Sequence, residues 1–139
     1  MSTRHYVSDG VSLPGSSAPI SQAVVVNGQC YVSGQLSVSA SGAYLPGTAR
    51  EEAERAFANL IACLRLAEFT AADVVFAEVA FADLPDLPAV NAVWEAVFAG
   101  DARPARTIFQ AAALPFGAKV KVVAVAIRSD SIPHTLPTR

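Results

Sequence analysis

Arg106 is the residue whose type and position most clearly predict chemistry in this chain. It follows a proline-containing loop at Arg103–Ala105 and opens an apolar stretch, in a sequence with only 10 Lys and Arg residues among 139. An arginine held at such a junction can bind a carboxylate through two parallel hydrogen bonds. A surface or intersubunit salt bridge explains the same segment equally well. The residues alone therefore predict either an anchor for an anionic ligand or an ion pair.

The other reactive side chains do not form a familiar catalytic pattern. The sequence contains no G-x-S-x-G elbow, no Walker loop, no G-x-G-x-x-G turn and no H-E-x-x-H pair. Cys30 and Cys63 match no zinc spacing and no C-x-x-C motif, so we interpret both as reduced, buried thiols. No metal site is predicted.

Composition excludes several classes of function. A net charge of −2 argues against electrostatic capture of nucleic acid. No apolar run approaches the length of about 18 residues that a membrane span needs. The polar N-terminus resembles no signal peptide, so we expect a cytoplasmic protein. Only 16% of the residues are charged, which predicts that part of the surface is buried against other subunits.

Local patterns predict the elements that must position Arg106. Asn27 and Gly28 form a hairpin signal, Thr48 and Glu51 form a capping box before a helix of about five turns, and Pro88 marks the first turn of a second helix. The predicted strands are 23–27, 29–33, a short one near 43–45, 74–82, 106–113 and 119–127.

This order predicts an α+β fold, with a single mixed β-sheet and both helices packed on one face. We expect one domain over residues 1–139, with a core at about 15–128 and an irregular tail at 129–139. The uncovered sheet face would be apolar, in agreement with burial against other subunits.

Four segments, in this order and spacing, together resemble the RidA/YjgF family of imine and enamine deaminases. They are Pro19–Ala23, Val32–Gln35, Ala89–Phe98, and Pro104–Thr107 followed by Ala112–Pro115. The resemblance covers roughly residues 15–128. It implies a chorismate-mutase-like fold, a homotrimer with a central barrel, and sites in the clefts between subunits.

The resemblance also implies an activity and residue roles. Family members hydrolyse 2-imino or 2-enamino acids to 2-keto acids and ammonia without a metal or organic cofactor. Arg106 matches the arginine that binds the substrate carboxylate. The other matched positions are Ser33, Gly34 and Asn91, which line the pocket, and Thr107 and Ile108, whose backbone groups face the substrate and the attacking water.

Two positions depart from the family pattern. Ile20 replaces a tyrosine of the pocket, and Lys121 replaces a glutamate that helps to hold the water. Lys121 acts as a base only if its pKa is strongly lowered, for example by burial beside Arg106; pairing with an acid of a neighbouring subunit is the alternative. We therefore expect a deaminase for a larger or more apolar carboxylate-bearing substrate, or else a trimer that binds small molecules without catalysis.

Overall fold

The computed structural model describes residues 3–8 and 18–128, which form one sheet and two helices. The strands are β1 (His5–Val7), β2 (Ala23–Val26), β3 (Gln29–Gln35), β4 (Val74–Phe81), β5 (Ala105–Gln110) and β6 (Val120–Ile127). The helices are α1 (Ala49–Leu66) and α2 (Leu87–Val97). Single turns of 3-10 helix lie at Ala71–Asp73, Leu84–Asp86 and Pro115–Gly117. The predicted α+β class, with one mixed sheet and two helices, is confirmed.

The sheet order, β1-β2-β3-β6-β4-β5, places the last of the described strands in the middle. β6 pairs antiparallel with both β3 and β4, while β5 pairs parallel with β4. Parallel neighbours need a crossover connection, which α2 provides. As a result, β6 lies next to β3, the strand that carries Ser33 and Gly34.

The strand predictions were wrong at three places. β1 was not predicted, because a strand of three residues, of which only Val7 is buried, carries no periodic signal and is ordered by pairing with β2. The strand expected near 43–45 is a single bridge between Val38 and Tyr44. The strand predicted to reach Ala113 ends at Gln110, because its partner β4 also ends there, at Phe81.

Both helices begin as their local sequences predict. The Glu51 amide donates to the Thr48 hydroxyl at 3.1 Å, and the Thr48 amide donates to the Glu51 carboxylate at 2.9 Å. These two bonds satisfy amides that the first turn of a helix leaves without partners. Pro88 lies in the first turn of α2, where its missing N–H has no effect on the helix. No helix within the described ranges is long and apolar enough to cross a membrane.

The helices cover one face of the sheet. The opposite face, which we call the open face, is covered only in part, where Ala80 packs with Leu114 and Ala118. Alternate residues of β4 and β6, including Ala77, Val79, Val122 and Ala124, pack into the core with α1 and α2. The register places Tyr31, Phe76 and Phe109 on the open face, where each ring is more than a third exposed. The predicted apolar face opposite the helices is therefore present.

Candidate active site

Arg106 is held against helix α2 by two side chains one turn apart. Its Nη1 donates to Asn91 Oδ1 at 2.8 Å, and its guanidinium carbon lies 4.8 Å from the centre of the Trp94 ring. Among the described residues Arg106 has no carboxylate partner within 4 Å. The guanidinium is thus oriented by a neutral amide and an aromatic face, and its charge is available to an anion.

Thr107 and Ile108 follow Arg106 on β5, which is the edge strand of the sheet. Ile108 packs against the core on the helix-covered side, as Arg106 does, whereas Thr107 lies on the open face opposite Glu78. The Thr107 hydroxyl and the Arg106 guanidinium therefore point to opposite faces of the sheet within one chain.

A cavity of about 300 Å³ lies where β3 ends and β6 begins. It is lined by Ala18, Ile20, Gln22, Gly34, Gln35, Leu36, Val38, Gly42, Pro115, Phe116 and Lys121. Most of these described residues are apolar, and Lys121 is the one charged residue among them. Three predicted site residues, Ile20, Gly34 and Lys121, meet here.

The Lys121 side chain lies directly over Gly34. A Cβ atom at Gly34 would stand 2.8 Å from Lys121 Cε and 3.1 Å from its Cδ. Any other residue at this position would push the lysine aside. The absence of a side chain at Gly34 therefore places Lys121 at the cavity.

Ser33, Gln22 and Gln35 form a group of hydrogen-bonded polar side chains beside the cavity. The Ser33 hydroxyl donates to the Ser21 carbonyl at 2.6 Å. Gln35 Nε2 donates to Gln22 Oε1 at 3.2 Å and to the Ser33 carbonyl at 3.0 Å. Because its proton is used by Ser21, the Ser33 oxygen keeps lone pairs that can accept a further hydrogen bond.

The predicted site residues thus fall into two groups in a single chain. Arg106 and Asn91 meet where β5 packs beside helix α2. Ile20, Gly34 and Lys121 line the cavity, at strand β6, which is two strands away from β5. Arg106 and Lys121 also lie on opposite faces, since their register partners on β4 are Ala77 and Ala80. Within one chain Lys121 is not beside Arg106, because β4 lies between their strands.

Sequence reasoning missed Phe116 and the network that supports it. The Phe116 ring stacks on Tyr44, with 5.8 Å between ring centres and 11° between ring planes. The Tyr44 hydroxyl donates to Glu52 Oε2 at 2.7 Å, and the Lys119 amide donates to Glu52 Oε1 at 3.1 Å. In the sequence, the only indication was that Phe116 is an apolar residue next to Gly117, in the segment between two predicted strands. Gln22 and Gln35, in contrast, stood inside two of the recognised segments.

Glu52 is fully buried in α1 and stays ionised. Burial by itself would raise the pKa of this carboxyl, but hydrogen bonds from Tyr44, from the Lys119 and Gly47 amides and from the Lys119 ammonium outweigh it and lower the pKa. Lys119 Nζ lies 3.4 Å from Glu52 Oε2. Lys119 therefore pairs with the Glu52 carboxylate, and it is not among the residues that line the cavity with Lys121.

The two cysteines are structural. Burial raises the pKa of the Cys30 thiol to about 11 and that of Cys63 to about 12, so neither is a thiolate at neutral pH. Both are free and fully buried. Within the described ranges no cluster of three His, Cys, Asp or Glu side chains is arranged to hold a metal ion.

Comparison with known proteins places this chain. The family model described as Endoribonuclease L-PSP matches residues 11–128. The 2-iminobutanoate/2-iminopropanoate deaminase of the goat (Capra hircus) is 41% identical over 116 residues, which cover 83% of this chain and 84% of the goat protein. The human protein of the same name is 38% identical over 116 residues, with the same coverage. The chain belongs to the RidA/YjgF family.

Solved structures of this family share its fold. RidA from the Antarctic bacterium Psychrobacter matches with a TM-score of 0.83 and 31% identity, over 89% of this chain and 100% of that one. E. coli TdcF, whose structure contains bound serine, matches with a TM-score of 0.82 and 26% identity, over 90% and 100% of the two chains. The RidA/YjgF resemblance of the four sequence segments is therefore confirmed.

Proposed function

We propose that this chain hydrolyses 2-imino or 2-enamino acids to 2-keto acids and ammonia. The observation that carries the proposal is the guanidinium of Arg106, held by Asn91 and Trp94 with its charge unpaired among the described residues. Such a group binds a carboxylate in a defined orientation. Relatives at 38–41% identity that bear the name 2-iminobutanoate/2-iminopropanoate deaminase support the same reaction.

The active site of this proposal lies in the cleft between subunits of a homotrimer. Arg106 and Lys121 do not meet within one chain, so a complete site needs Arg106 of one subunit to face the cavity of the next. The exposed rings of Tyr31, Phe76 and Phe109 support burial of the open face in a central barrel.

The reaction needs orientation more than a strong nucleophile. Arg106 binds the carboxylate of the substrate, and water adds to the electrophilic C=N carbon to form a carbinolamine. After a proton moves to nitrogen, ammonia leaves and the C=O bond of the keto acid forms. Holding substrate and water together supplies several kcal/mol of the acceleration, and no metal or organic cofactor is required.

The remaining side chains have separate roles in this scheme. The Ser33 oxygen accepts a hydrogen bond from the attacking water, since its own proton is donated to Ser21. Lys121, while charged, only donates, so it protonates the nitrogen that leaves; its neutral amine then takes the proton of the carbinolamine hydroxyl as the C=O bond forms. Thr107 and Ile108 contribute backbone groups of the β5 edge, and Asn91 keeps the guanidinium in place.

Arg106→Ala tests the proposal. Loss of the carboxylate anchor is expected to lower kcat/KM for ammonia release by about 100-fold or more, the range for removal of one partner of an oriented charge pair. The substrate is 2-iminopropanoate generated in the assay by an amino acid oxidase. Arg50→Ala is the control, because Arg50 is exposed and pairs only loosely with Glu54 at 3.8 Å. Equal rates for wild type and Arg106→Ala would contradict the anchor.

A second candidate is a trimer that binds 2-keto or 2-imino acids without catalysis. The observation in its favour is that no Asp or Glu is among the described residues lining the cavity, so no carboxylate there accepts a proton from water. The name endoribonuclease is less well supported, because 10 Lys and Arg against 12 Asp and Glu leave no excess of positive charge for a phosphate backbone.

A further inference from the structure

Phe116 is an apolar residue in an unfavourable and exposed position at the cavity. Its φ of 65° lies in the left-handed region that residues with a bulky side chain rarely adopt. Its side chain is 61% exposed, the largest exposure among the large apolar residues described. Backbone strain of this kind persists where the surroundings enforce it, and it is concentrated at functional sites.

The surroundings that enforce it reach into the core. One face of the Phe116 ring stacks on Tyr44, and Tyr44 is fixed by its hydrogen bond to Glu52. Glu52 is fully buried and is also bonded to the amides of Gly47 and Lys119. The position of the Phe116 ring is therefore set from within the molecule, and its second face is left for another group.

The cavity beside this ring is larger and more apolar than a small imino acid requires. Its volume of about 300 Å³ equals that of about ten water molecules in the liquid. Ile20, Leu36, Val38 and Pro115 complete the apolar wall. A substrate with a methyl or ethyl side chain, as in the named substrates of the goat and human relatives, would leave most of this wall in contact with water.

We infer that Phe116 determines specificity and selects 2-imino acids with an aromatic side chain. The inference rests on the proposed function, in which Arg106 of a neighbouring subunit holds the carboxylate. The substrate ring packs on the free face of Phe116, because two aromatic rings attract each other in offset-stacked or edge-to-face contacts. Ile20 and Leu36 enclose its edge.

The test compares an aromatic with an aliphatic ligand in two assays. Calorimetry measures the Kd of phenylpyruvate and of pyruvate, which are the keto-acid products. A second assay measures ammonia release from the imines that an amino acid oxidase forms from phenylalanine and from alanine. Wild type is expected to prefer the aromatic member by at least about tenfold, the size of one buried aromatic contact.

Phe116→Ala is expected to abolish this preference, whereas Phe116→Tyr keeps the ring and the preference. Leu66→Ala is the matched control, since Leu66 is an exposed apolar residue at the end of α1. Equal Kd values for the two keto acids in wild type, or an unchanged preference in Phe116→Ala, would overturn the inference. So would a lower oligomeric mass of Phe116→Ala, which would assign the ring to subunit packing.

The two proposals fail in different ways. If neither imine releases ammonia faster than the uncatalysed reaction but wild type still binds phenylpyruvate more tightly through Phe116, then imine hydrolysis is wrong and the assignment of Phe116 stands. If both imines are hydrolysed at equal rates and both keto acids bind equally, hydrolysis stands and the assignment of Phe116 is wrong.

Discussion

Lys121 is the residue whose expected role differs most between the proposed hydrolase and a trimer that binds without catalysis. It lies over Gly34 at a cavity whose described lining holds no other charge, and the register places it next to Ala80 on the open face. A lysine in this environment attracts an anion but accepts no proton while it is charged. Whether Lys121 can donate a proton therefore decides whether a ligand bound in the cavity is hydrolysed.

Lys121→Glu is expected to lower the rate of ammonia release by about tenfold or more, because a proton donor to the leaving nitrogen is lost and a negative charge is placed near the bound carboxylate. Lys121→Met, which keeps the length without the charge, is expected to lose activity as well. Steady-state kinetics on both variants checks this prediction. A gain of activity in Lys121→Glu would instead favour the binding trimer, in which catalysis had been lost with an acidic group.

The residues of the site were only partly predictable from sequence. Arg106 was found because a cation opening an apolar strand is conspicuous in a charge-poor chain. Its partner Asn91 was found through the family resemblance, 15 residues away along the chain. Phe116 was missed because its importance depends on a stacking partner, Tyr44, that no local pattern connects to it.

At the scale of elements, one buried carboxylate joins three segments. Glu52 of helix α1 binds the loop before the helix through Tyr44 and Gly47, and the start of β6 through Lys119. The capping box of α1 was predicted because Thr48 and Glu51, the two residues that form it, are only three positions apart in sequence. The bond between Glu52 and Lys119 spans 67 residues, and periodicity carries no information about such a contact.

Glu52→Gln is expected to lower the free energy of unfolding at pH 7 by about 2 kcal/mol, since charge-assisted hydrogen bonds are lost in the core. Because the pKa of Glu52 is lowered in the folded protein, its stabilisation is complete above the unfolded pKa of about 4.3 and is lost as the pH falls below it. The difference between wild type and variant should therefore shrink in acid. Urea unfolding at pH 7 and at about pH 3 measures it, since the stabilisation is lost as the pH falls from about 4.3 through the folded pKa.

Glu54→Gln is the control for this experiment. Glu54 lies in the same helix but is exposed, and its only described partner is Arg50 at 3.8 Å. Its replacement is expected to change stability by less than about 1 kcal/mol at either pH. A stability difference for Glu52→Gln that does not change with pH would contradict the role of the ionised carboxylate.

At the scale of the whole molecule, composition and structure point to the same surface. The shortage of charged residues predicted contact with other subunits, and the open face carries the exposed rings of Tyr31, Phe76 and Phe109. The order of the helices and strands, with both helices on one face of the sheet, predicted an apolar face opposite them. The order of the strands was not predictable in the same way, because the pairing of β6 with both β3 and β4 depends on contacts distant in sequence.

Phe109→Glu is expected to convert the proposed homotrimer to monomers, because it places a charge in the middle of an apolar contact. Light scattering during size-exclusion chromatography measures the molar mass, and ammonia release should fall together with it. Leu66→Glu is the matched control, since Leu66 is exposed to a similar extent on α1, away from the open face. A trimer that persists in Phe109→Glu would contradict packing through this face.

The central place of β6 has a consequence for the synthesis of the protein. Neither β3 nor β4 has its shared neighbour until residues 120–127 have left the ribosome, which happens after every other described strand has emerged. Until then the nascent chain exposes two separate pieces of sheet, each with an unpaired edge. The sheet is therefore completed only after residues 120–127 have emerged, and a ribosome that stalls before Val120 leaves a product prone to aggregation.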